Sequence, residues 1–263
     1  MLKFGEYPNL SISILLEEGN LGYAGGHNKV VRHILKELHE CTHLLLLNPD
    51  IRKSPGLIEG LTLSITKSSD IFSVSPTKTQ GQGTIKKTKK AGHCLRTPKI
   101  NYLGEVGRNY YDHNLLETCT GTGACLLLDF RVLTQVVGLL NEDYFMYLEE
   151  TELLLRAKNL GFKNLVLESE SIGHNIGEPR FKPLKTYYST RNALFLLEHI
   201  QGWRKLPYIL GRFVKPFAVY GLRFIFSLDL GNAQASMHGF IHGLSKRNGI
   251  CTRYHSVIQQ RQV

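Results

Sequence analysis

Apolar residues along this chain follow two different spacings. Short apolar runs bounded by polar or small residues predict buried strands at residues 10–16, 43–47, 71–74, 125–128 and 163–167. Apolar positions three and four apart predict helices at residues 29–39, 55–65, 131–140, 149–161 and 187–200. Strands that alternate with helices indicate an α/β fold. The four consecutive leucines at 44–47 further predict a central parallel strand that is buried on both faces.

The end of the chain has a different composition. Residues 207–230 are rich in aromatic and aliphatic side chains, but Arg212, Lys215 and Arg223 interrupt any apolar run long enough to cross a bilayer. Two interpretations stay open: a segment that lies in a membrane interface, or a helical hairpin packed on the rest of the protein. We expect an α/β domain at residues 1–200 and a basic, aromatic helical extension at residues 201–263.

Composition narrows the classes of partner. The 263 residues carry a formal net charge of +10, with 42% hydrophobic and 21% charged residues, which is typical of a globular protein with an anionic partner. Nucleic acid is disfavoured, because the chain has no recognisable binding motif and its clustered lysines have no interleaved aromatic residues. Those lysines lie in an aperiodic stretch, residues 76–117, that either attracts a phosphorylated substrate or a membrane, or is a solvated surface.

Cysteine usage and the start of the chain bear on the compartment. The five cysteines form no CxxC pair and are odd in number, which indicates a reducing compartment and no zinc knuckle. No apolar run of signal-peptide length follows Met1. We therefore expect a cytoplasmic protein that contacts the inner face of the plasma membrane peripherally, and we leave the oligomeric state open.

Three glutamates stand together at residues 149, 150 and 152, directly after an aromatic and aliphatic run. Successive helical positions diverge by about 100°, so Glu149 and Glu150 cannot both point the same way. Glu152 can pair with Arg156 one turn later. Glu150 is therefore the acid most free to face a cleft. The alternative is a negative first helical turn that complements the helix dipole.

Polar segments follow predicted strands, where α/β sheets bind ligands. Residues 19–26 hold four glycines between a strand and a helix, which predicts backbone amides near a phosphate; a tight turn is equally compatible. Asn48 and Asp50 follow the leucine run, where a carboxylate can hold a divalent ion that also binds a diphosphate, although Asn-Pro-Asp is ordinary turn chemistry too. His174 follows a strand and can complete a metal site, but a lone histidine is more often structural.

Six segments in order resemble family 2 glycosyltransferases, and within them the rhamnosyltransferase-like branch. The segments are NLGYAGGHN at 20–28, LNPD at 47–50, TGAC at 122–125, FMYLEE at 145–150, HNIG at 174–177 and YYSTRN at 187–192. The resemblance implies a GT-A fold, which is a Rossmann-like mixed and mostly parallel sheet flanked by helices. It also implies an inverting transfer of a sugar, such as rhamnose, from a dTDP- or UDP-sugar to a saccharide or lipid-linked acceptor of the cell envelope, with Mg²⁺ or Mn²⁺ as cofactor.

Position by position, the resemblance implies roles for single residues. Asp50 matches the metal-binding aspartate, His174 stands near the metal and diphosphate, and Glu150 falls where the catalytic base stands, although an aspartate is usual there. The residues implied to bind the donor are Asn20, Gly25, Gly26, Asn28, Asn48, Gly123 and Arg191. The family also begins with a strand, a helix and a second strand that have no counterpart before residue 10. We therefore expect an N-terminally incomplete domain, and a non-catalytic relative that acts as a scaffold is the alternative function.

Overall fold

A computed structural model describes residues 2–4, 7–37, 40–79, 110–174, 182–200, 202–210 and 230–254. The strands are β1 (Leu2–Phe4), β2 (Tyr7–Ile12), β3 (His43–Leu47), β4 (Ile51–Lys53), β5 (Ile71–Thr79), β6 (Tyr110–Asp112), β7 (Leu115–Glu117), β8 (Cys125–Asp129) and β9 (Lys163–His174). The α-helices are α1 (Gly22–Glu37), α2 (Leu57–Ile65), α3 (Phe130–Val132), α4 (Glu149–Asn159), α5 (Lys182–Phe195), α6 (Lys205–Ile209) and α7 (Leu230–Leu244). Most of the predicted lysine-rich stretch and of the predicted interfacial segment lies outside the described residues.

Seven strands form one mixed sheet in the order β3-β8-β5-β9-β7-β6, with β4 paired to β9. The α/β fold with a mixed sheet is thereby confirmed. A mostly parallel sheet is wrong for the described strands, because β5–β9 is their only parallel pair. The leucine run is not a central parallel strand either, since β3 stands at the end of the strand order and pairs antiparallel with β8. Its leucines contact the core on both faces, and burial does not report the direction of a neighbouring strand.

The strand directions bring four chain segments to one edge of the sheet. β8 is antiparallel to both β3 and β5, and β5 is parallel to β9. β3, β5 and β9 therefore run in the same direction, and their carboxyl ends meet the amino end of β8. Four residues lie at that edge. Asn48 follows β3, Lys78 is next to the last residue of β5, His174 ends β9, and Gly123 stands two residues ahead of β8. In open α/β sheets this is the edge at which ligands usually bind.

Helices cover both faces of the sheet. On one face, α1, α3 and α4 enclose a cluster that includes Val31, Leu128 and Leu154. On the other face, α2 covers a cluster that includes Leu61 and Leu165. The apolar strand β8 supplies side chains to both clusters, because alternate residues of a strand point to opposite faces.

Two predicted elements have different bounds in the structure. The strand expected at residues 10–16 is β2, which ends at Ile12 and pairs with β1 in a separate two-stranded sheet. The apolar run continues past the strand into solvent, where Leu16 is 84% exposed. The helix expected at residues 131–140 is irregular, because α3 passes into a π-helical turn, Leu133–Val137. Gly138 then ends it with a φ of 87°, a conformation that glycine adopts without strain.

The glycine-rich segment forms the start of a helix. α1 already begins at Gly22. The side-chain oxygen of Asn20 accepts the Gly22 amide at 2.9 Å, and the Tyr23 amide donates to the carbonyl oxygen of Phe145 at 2.8 Å. Two of the amides that the sequence assigns to a phosphate are therefore used within the protein.

Helix α7 packs along α5 through its small residues. A Cβ atom added to Gly239 would lie 2.5 Å from the carbonyl oxygen of Tyr187, and one added to Gly243 would overlap the side chain of Leu194. Phe240 packs against the α5 cluster that includes Ala193 and Leu194, whereas other large apolar residues of α7 are exposed, and Leu244 is 63% exposed. No helix within the described residues combines the length and the apolar character needed to cross a bilayer.

Candidate active site

Backbone pairing joins the predicted metal-binding segments at the sheet edge. The Asn48 amide donates to the carbonyl oxygen of Ala124 at 2.9 Å, which joins the end of β3 to the segment ahead of β8. Ile51, the residue after Asp50, lies opposite His174 in the β4–β9 pair. The structure thus brings the backbones of the two predicted metal-binding residues close together. The side chain of His174 lies outside the described part of the chain.

Glu150 reaches the same edge from the start of α4. A Cβ atom added to Gly123 would lie 3.5 Å from both Cγ and Cδ of Glu150, and 3.2 Å from the hydroxyl oxygen of Tyr23. That hydroxyl donates to the carbonyl oxygen of Gly123 at 2.5 Å. A larger residue at position 123 would therefore have to displace either Tyr23 or the carboxylate. Glu150 itself is half-buried.

A lysine lies within electrostatic reach of both predicted carboxylates. Burial raises the pKa of Glu150, and the positive charge of Lys78 opposes that rise. Burial and the charge of Lys185 lower the pKa of Lys78, while the charges of Glu150 and Asp50 act in the opposite direction. Asp50 and Glu150 are far apart in sequence, yet both act on the ammonium group of Lys78.

Glu149 is more deeply buried than its neighbour Glu150. It is 3% exposed, and its Oε2 atom has no hydrogen-bond partner among the described residues. Burial, together with the charge of Glu150, raises the pKa of Glu149 well above its ordinary value. Two adjacent carboxyl groups in such surroundings titrate as a pair, so one of them retains a proton more readily than an isolated glutamate would.

The backbone ahead of these glutamates is strained. Phe145, Tyr147 and Leu148 have φ values of 61°, 68° and 73°, in the left-handed region that non-glycine residues rarely adopt. Such residues persist only where the surrounding structure enforces them, and they cluster at functional sites. Gly22 fits against this segment, because an added Cβ atom would overlap the Phe145 carbonyl oxygen.

Two buried residues of α5 hold the strained segment in place. Arg191 is 0% exposed and donates to the carbonyl oxygens of Tyr144 at 2.8 Å and Gly249 at 2.6 Å. Asn192 Nδ2 lies 2.9 Å from the carbonyl oxygen of Tyr144 and 2.7 Å from that of Tyr147. The guanidinium group of Arg191 is thus committed to backbone acceptors inside the protein, and the donor-binding role implied for it stays a prediction.

Asn28 is also a structural residue. Its Nδ2 donates to the carbonyl oxygen of Leu140 at 2.8 Å and to Glu142 Oε1 at 2.9 Å, and its Oδ1 accepts the Leu140 amide at 3.1 Å. Asn28 is 2% exposed, and the donor contact implied for it stays a prediction. Gly25 packs between Leu21 and Glu142, whereas a side chain on Gly26 would meet no atom within 4 Å.

Lys78, Lys185 and Tyr23 belong to this site although the sequence analysis did not assign them to it. The strand predicted from the sequence ends at Val74, which puts Lys78 in the aperiodic lysine-rich stretch. In the structure, β5 continues to Thr79 and includes Lys78. A strand extended to residue 79 would have put Lys78 at the same edge as Asn48. Lys185 lies on α5 with its ammonium group 5.9 Å from the centroid of the Tyr147 ring, a contact without a local sequence pattern.

Comparisons with known proteins find glycosyltransferases among the relatives of this chain. No protein-family model matches the chain. The low-salt glycan biosynthesis hexosyltransferase Agl10 of Haloferax volcanii is 26% identical over 237 residues, which covers 88% of this chain and 75% of that protein. The N-acetylglucosaminyl-diphospho-decaprenol L-rhamnosyltransferase of Mycobacterium tuberculosis is 23% identical over 222 residues, which covers 76% and 71%.

A solved structure supplies the comparison of folds. GalNAc-T7 with UDP, GalNAc and Mn²⁺ aligns with a TM-score of 0.53 and 13% identity, over 88% of this chain and 44% of that chain. The chain therefore spans less than half of that protein, and the likeness shows the fold alone. The fold and the two relatives together define the class of this protein, which is a GT-A-like glycosyltransferase.

Proposed function

We propose that this protein is an inverting glycosyltransferase that moves a hexose, with rhamnose or another deoxyhexose as first candidate, from a dTDP- or UDP-sugar to a saccharide or lipid-linked acceptor. The observation that carries the proposal is the half-buried Glu150, which lies against Gly123 and shares Lys78 with Asp50 at the carboxyl edge of the sheet. A hexosyltransferase and a rhamnosyltransferase among the relatives support the choice of sugar.

In this proposal Glu150 is the catalytic base. Its carboxylate takes the proton of the acceptor hydroxyl as the acceptor oxygen bonds to the anomeric carbon of the donor sugar. The bond from that carbon to the diphosphate breaks, and the nucleoside diphosphate leaves with the electron pair, which inverts the anomeric centre. Burial raises the pKa of Glu150 and so makes it a stronger base than an exposed glutamate, once it is ionised.

Positive charge at the same edge serves the leaving group. Lys78 lies within reach of the charges of both Asp50 and Glu150, where it can neutralise charge that develops on the diphosphate. Lys185, whose charge also acts on Lys78, extends this positive region. The positive charge of Lys78 also favours the ionised form of Glu150. Lys78 would therefore stabilise both the catalytic base and the leaving diphosphate.

The residues at the edge also fit a divalent cation bound jointly with the donor. Mg²⁺ is usually held by one or two carboxylates together with substrate phosphates, and not by an all-protein cage. The described residues contain no group of three or more His, Cys, Asp or Glu side chains suited to a metal. Asp50 would hold the cation, with His174 as a second protein ligand. When bound, the cation supplies Lewis-acid stabilisation of the leaving diphosphate.

The surface of α7 supports peripheral membrane contact, which suits a lipid-linked acceptor. Leu230, Met237, Ile241 and Leu244 repeat along one exposed stripe of the helix. A helix that packs its glycines inward and exposes its large apolar residues suits a lipid interface. Trp203, which is 74% exposed, is a residue type enriched at such interfaces.

The test is sugar transfer by the purified full chain. With Mg²⁺ or Mn²⁺, a panel of dTDP- and UDP-sugars and a lipid-linked saccharide, we expect release of nucleoside diphosphate that depends on the acceptor. Glu150→Gln should lower the rate about 10²–10⁴-fold, whereas Glu59→Gln, on the exposed surface of α2, should not. Full turnover by Glu150→Gln would show that Glu150 is not the catalytic base. No release from any donor would contradict the proposed function.

A further inference from the structure

A pocket lies between α5, α7 and the segment at 247–254. It has a volume of about 270 Å³. Its lining residues include Tyr187, His238, His242, Arg247, Arg253 and Tyr254. Among the described residues that line it there is no Asp or Glu. The pocket therefore combines two guanidinium groups, two imidazoles and two phenols without a negative side chain.

Hydrogen bonds fix the histidines of this pocket. Tyr187 Oη and His242 Nδ1 are 2.8 Å apart, and Tyr254 Oη and His238 Nδ1 are also 2.8 Å apart. Arg247 Nη1 lies 3.3 Å from His242 Nε2. A guanidinium group can only donate, so Nε2 of His242 accepts and its Nδ1 carries the proton towards Tyr187. The imidazole is thus neutral, and its orientation is set by Tyr187 of α5 and by Arg247 in the segment after α7.

The pocket has an excess of positive charge. Burial and the charge of Arg253 lower the pKa of His238. Burial also lowers the pKa of His242, and the charges of Arg247, His238 and Arg191 lower it further. A bound anion would offset these positive charges, and arginine forms paired hydrogen bonds to the oxygens of phosphate.

We propose that this pocket binds a phosphate or diphosphate group. Guanidinium and phenol groups donate to phosphate oxygens, and the cavity has room for a phosphate or diphosphate group. Met237 and Ile241 each precede a pocket histidine on α7 and belong to its exposed apolar stripe. A phosphate ester carried by a lipid would therefore meet the arginines with its head group and the stripe with its chain. Free diphosphate would present the same kind of phosphate oxygens to the donors of this pocket. The inference does not depend on sugar transfer, because the pocket shares no lining residue with the sheet edge.

Binding of inorganic pyrophosphate to the full chain, measured by calorimetry in EDTA, is the first test. We expect the Arg247→Gln, Arg253→Gln double variant to lose affinity about tenfold or more. The Lys36→Gln, Arg131→Gln double variant, which removes two exposed positive charges from α1 and α3, is the charge-matched control and should bind normally. Lys78→Gln reports on pyrophosphate at the transfer site, and binding that is lost in this variant but kept by the Arg247→Gln, Arg253→Gln double variant would assign the pyrophosphate to the transfer site and overturn the proposal. Equal unfolding temperatures would establish that the Arg247→Gln, Arg253→Gln double variant folds.

Vesicles identify the source of the phosphate. Phosphatidylcholine vesicles with and without a polyprenyl phosphate are sedimented with the protein. A gain in bound protein that needs both polyprenyl phosphate and the two arginines supports a lipid ligand. Pyrophosphate binding that needs the arginines, without such a gain, supports a free phosphate ligand. The proposal fails if the wild type binds neither probe, or if the double variant binds both as the wild type does.

Discussion

Asn192 and Tyr147 are joined by a 2.7 Å hydrogen bond from the side-chain amide to the backbone carbonyl oxygen. The same amide lies 2.9 Å and 2.8 Å from the carbonyl oxygens of Tyr144 and Met146. Tyr147 is one of three residues with a left-handed backbone that lead into the glutamate pair. A buried side chain of α5 therefore holds the backbone that aims Glu150 at the sheet edge.

Replacement of Asn192 by alanine should release the segment at 144–147 from its hydrogen bonds to α5. The substitution leaves buried carbonyl oxygens without their donor, and we expect it to lower the free energy of unfolding by about 2–3 kcal/mol. The rate of transfer should fall by about tenfold or more, because small displacements of a base are costly. Denaturant unfolding and steady-state kinetics measure both effects. Asn159→Ala, which removes one exposed amide that donates to the His199 carbonyl oxygen, should have little effect; an equal loss there would contradict the interpretation.

Gly22 and Gly26 form a second matched pair on α1. Gly22 has a φ of 70°, and an added Cβ atom would overlap the Phe145 carbonyl oxygen. Gly22→Ala should therefore destabilise the protein by about 1–3 kcal/mol. Gly26 is helical with open space around it, so Gly26→Ala should stabilise it by about 0.5–1 kcal/mol. Thermal unfolding distinguishes the two, and the opposite order would contradict this account. A higher KM for the donor in Gly26→Ala would support the donor contact that the sequence implies.

Local spacing predicted some contacts of this site and could not predict others. The i to i+4 pairing of Glu152 with Arg156 is confirmed at 2.6 Å, because it depends only on helix geometry. The burial of Glu149 was not predictable in the same way. It depends on the left-handed backbone of Tyr147 and Leu148, which turns the start of α4 towards the core. That backbone conformation cannot be predicted from the residue types tyrosine and leucine.

The contacts of Arg191 and the start of α1 could not be predicted from residue type. The resemblance implies a donor contact for Arg191, but its backbone acceptors come from Asp143, Tyr144 and Gly249, which only the folded chain brings together. Glycine is compatible with turns and helices alike, so the segment at 19–26 did not reveal where α1 begins. Asn20 as an N-terminal capping residue was the available signal.

Loss of the charge on Lys78 should change the pH dependence of transfer. Lys78 opposes the rise in the pKa of Glu150, so Lys78→Gln should raise that pKa further. Transfer needs the ionised base, and the acidic limb of the pH–rate profile should therefore move to higher pH by about one unit. The KM for the donor should also increase, because positive charge is lost beside the diphosphate. Lys36→Gln, on the exposed last turn of α1, is the control and should leave the profile unchanged. A shift to lower pH would contradict the assigned role of Lys78.

Glu149→Gln should stabilise the protein at neutral pH while it preserves turnover. The pKa of Glu149 is raised in the folded state above its ordinary value of 4.5. A raised carboxyl pKa favours folding below about pH 4.5, and that benefit is lost as pH rises towards the folded-state value, by up to about 1.4 kcal/mol per pH unit. The variant cannot ionise at this position, so it should match the wild type near pH 4 and exceed its unfolding free energy by a margin that grows with pH. Urea unfolding across this range measures the difference, with Glu59→Gln as the exposed control. A variant that is less stable than the wild type at neutral pH would contradict the raised pKa of Glu149. Loss of transfer in Glu149→Gln, with transfer retained in Glu150→Gln, would exchange the roles assigned to the two glutamates.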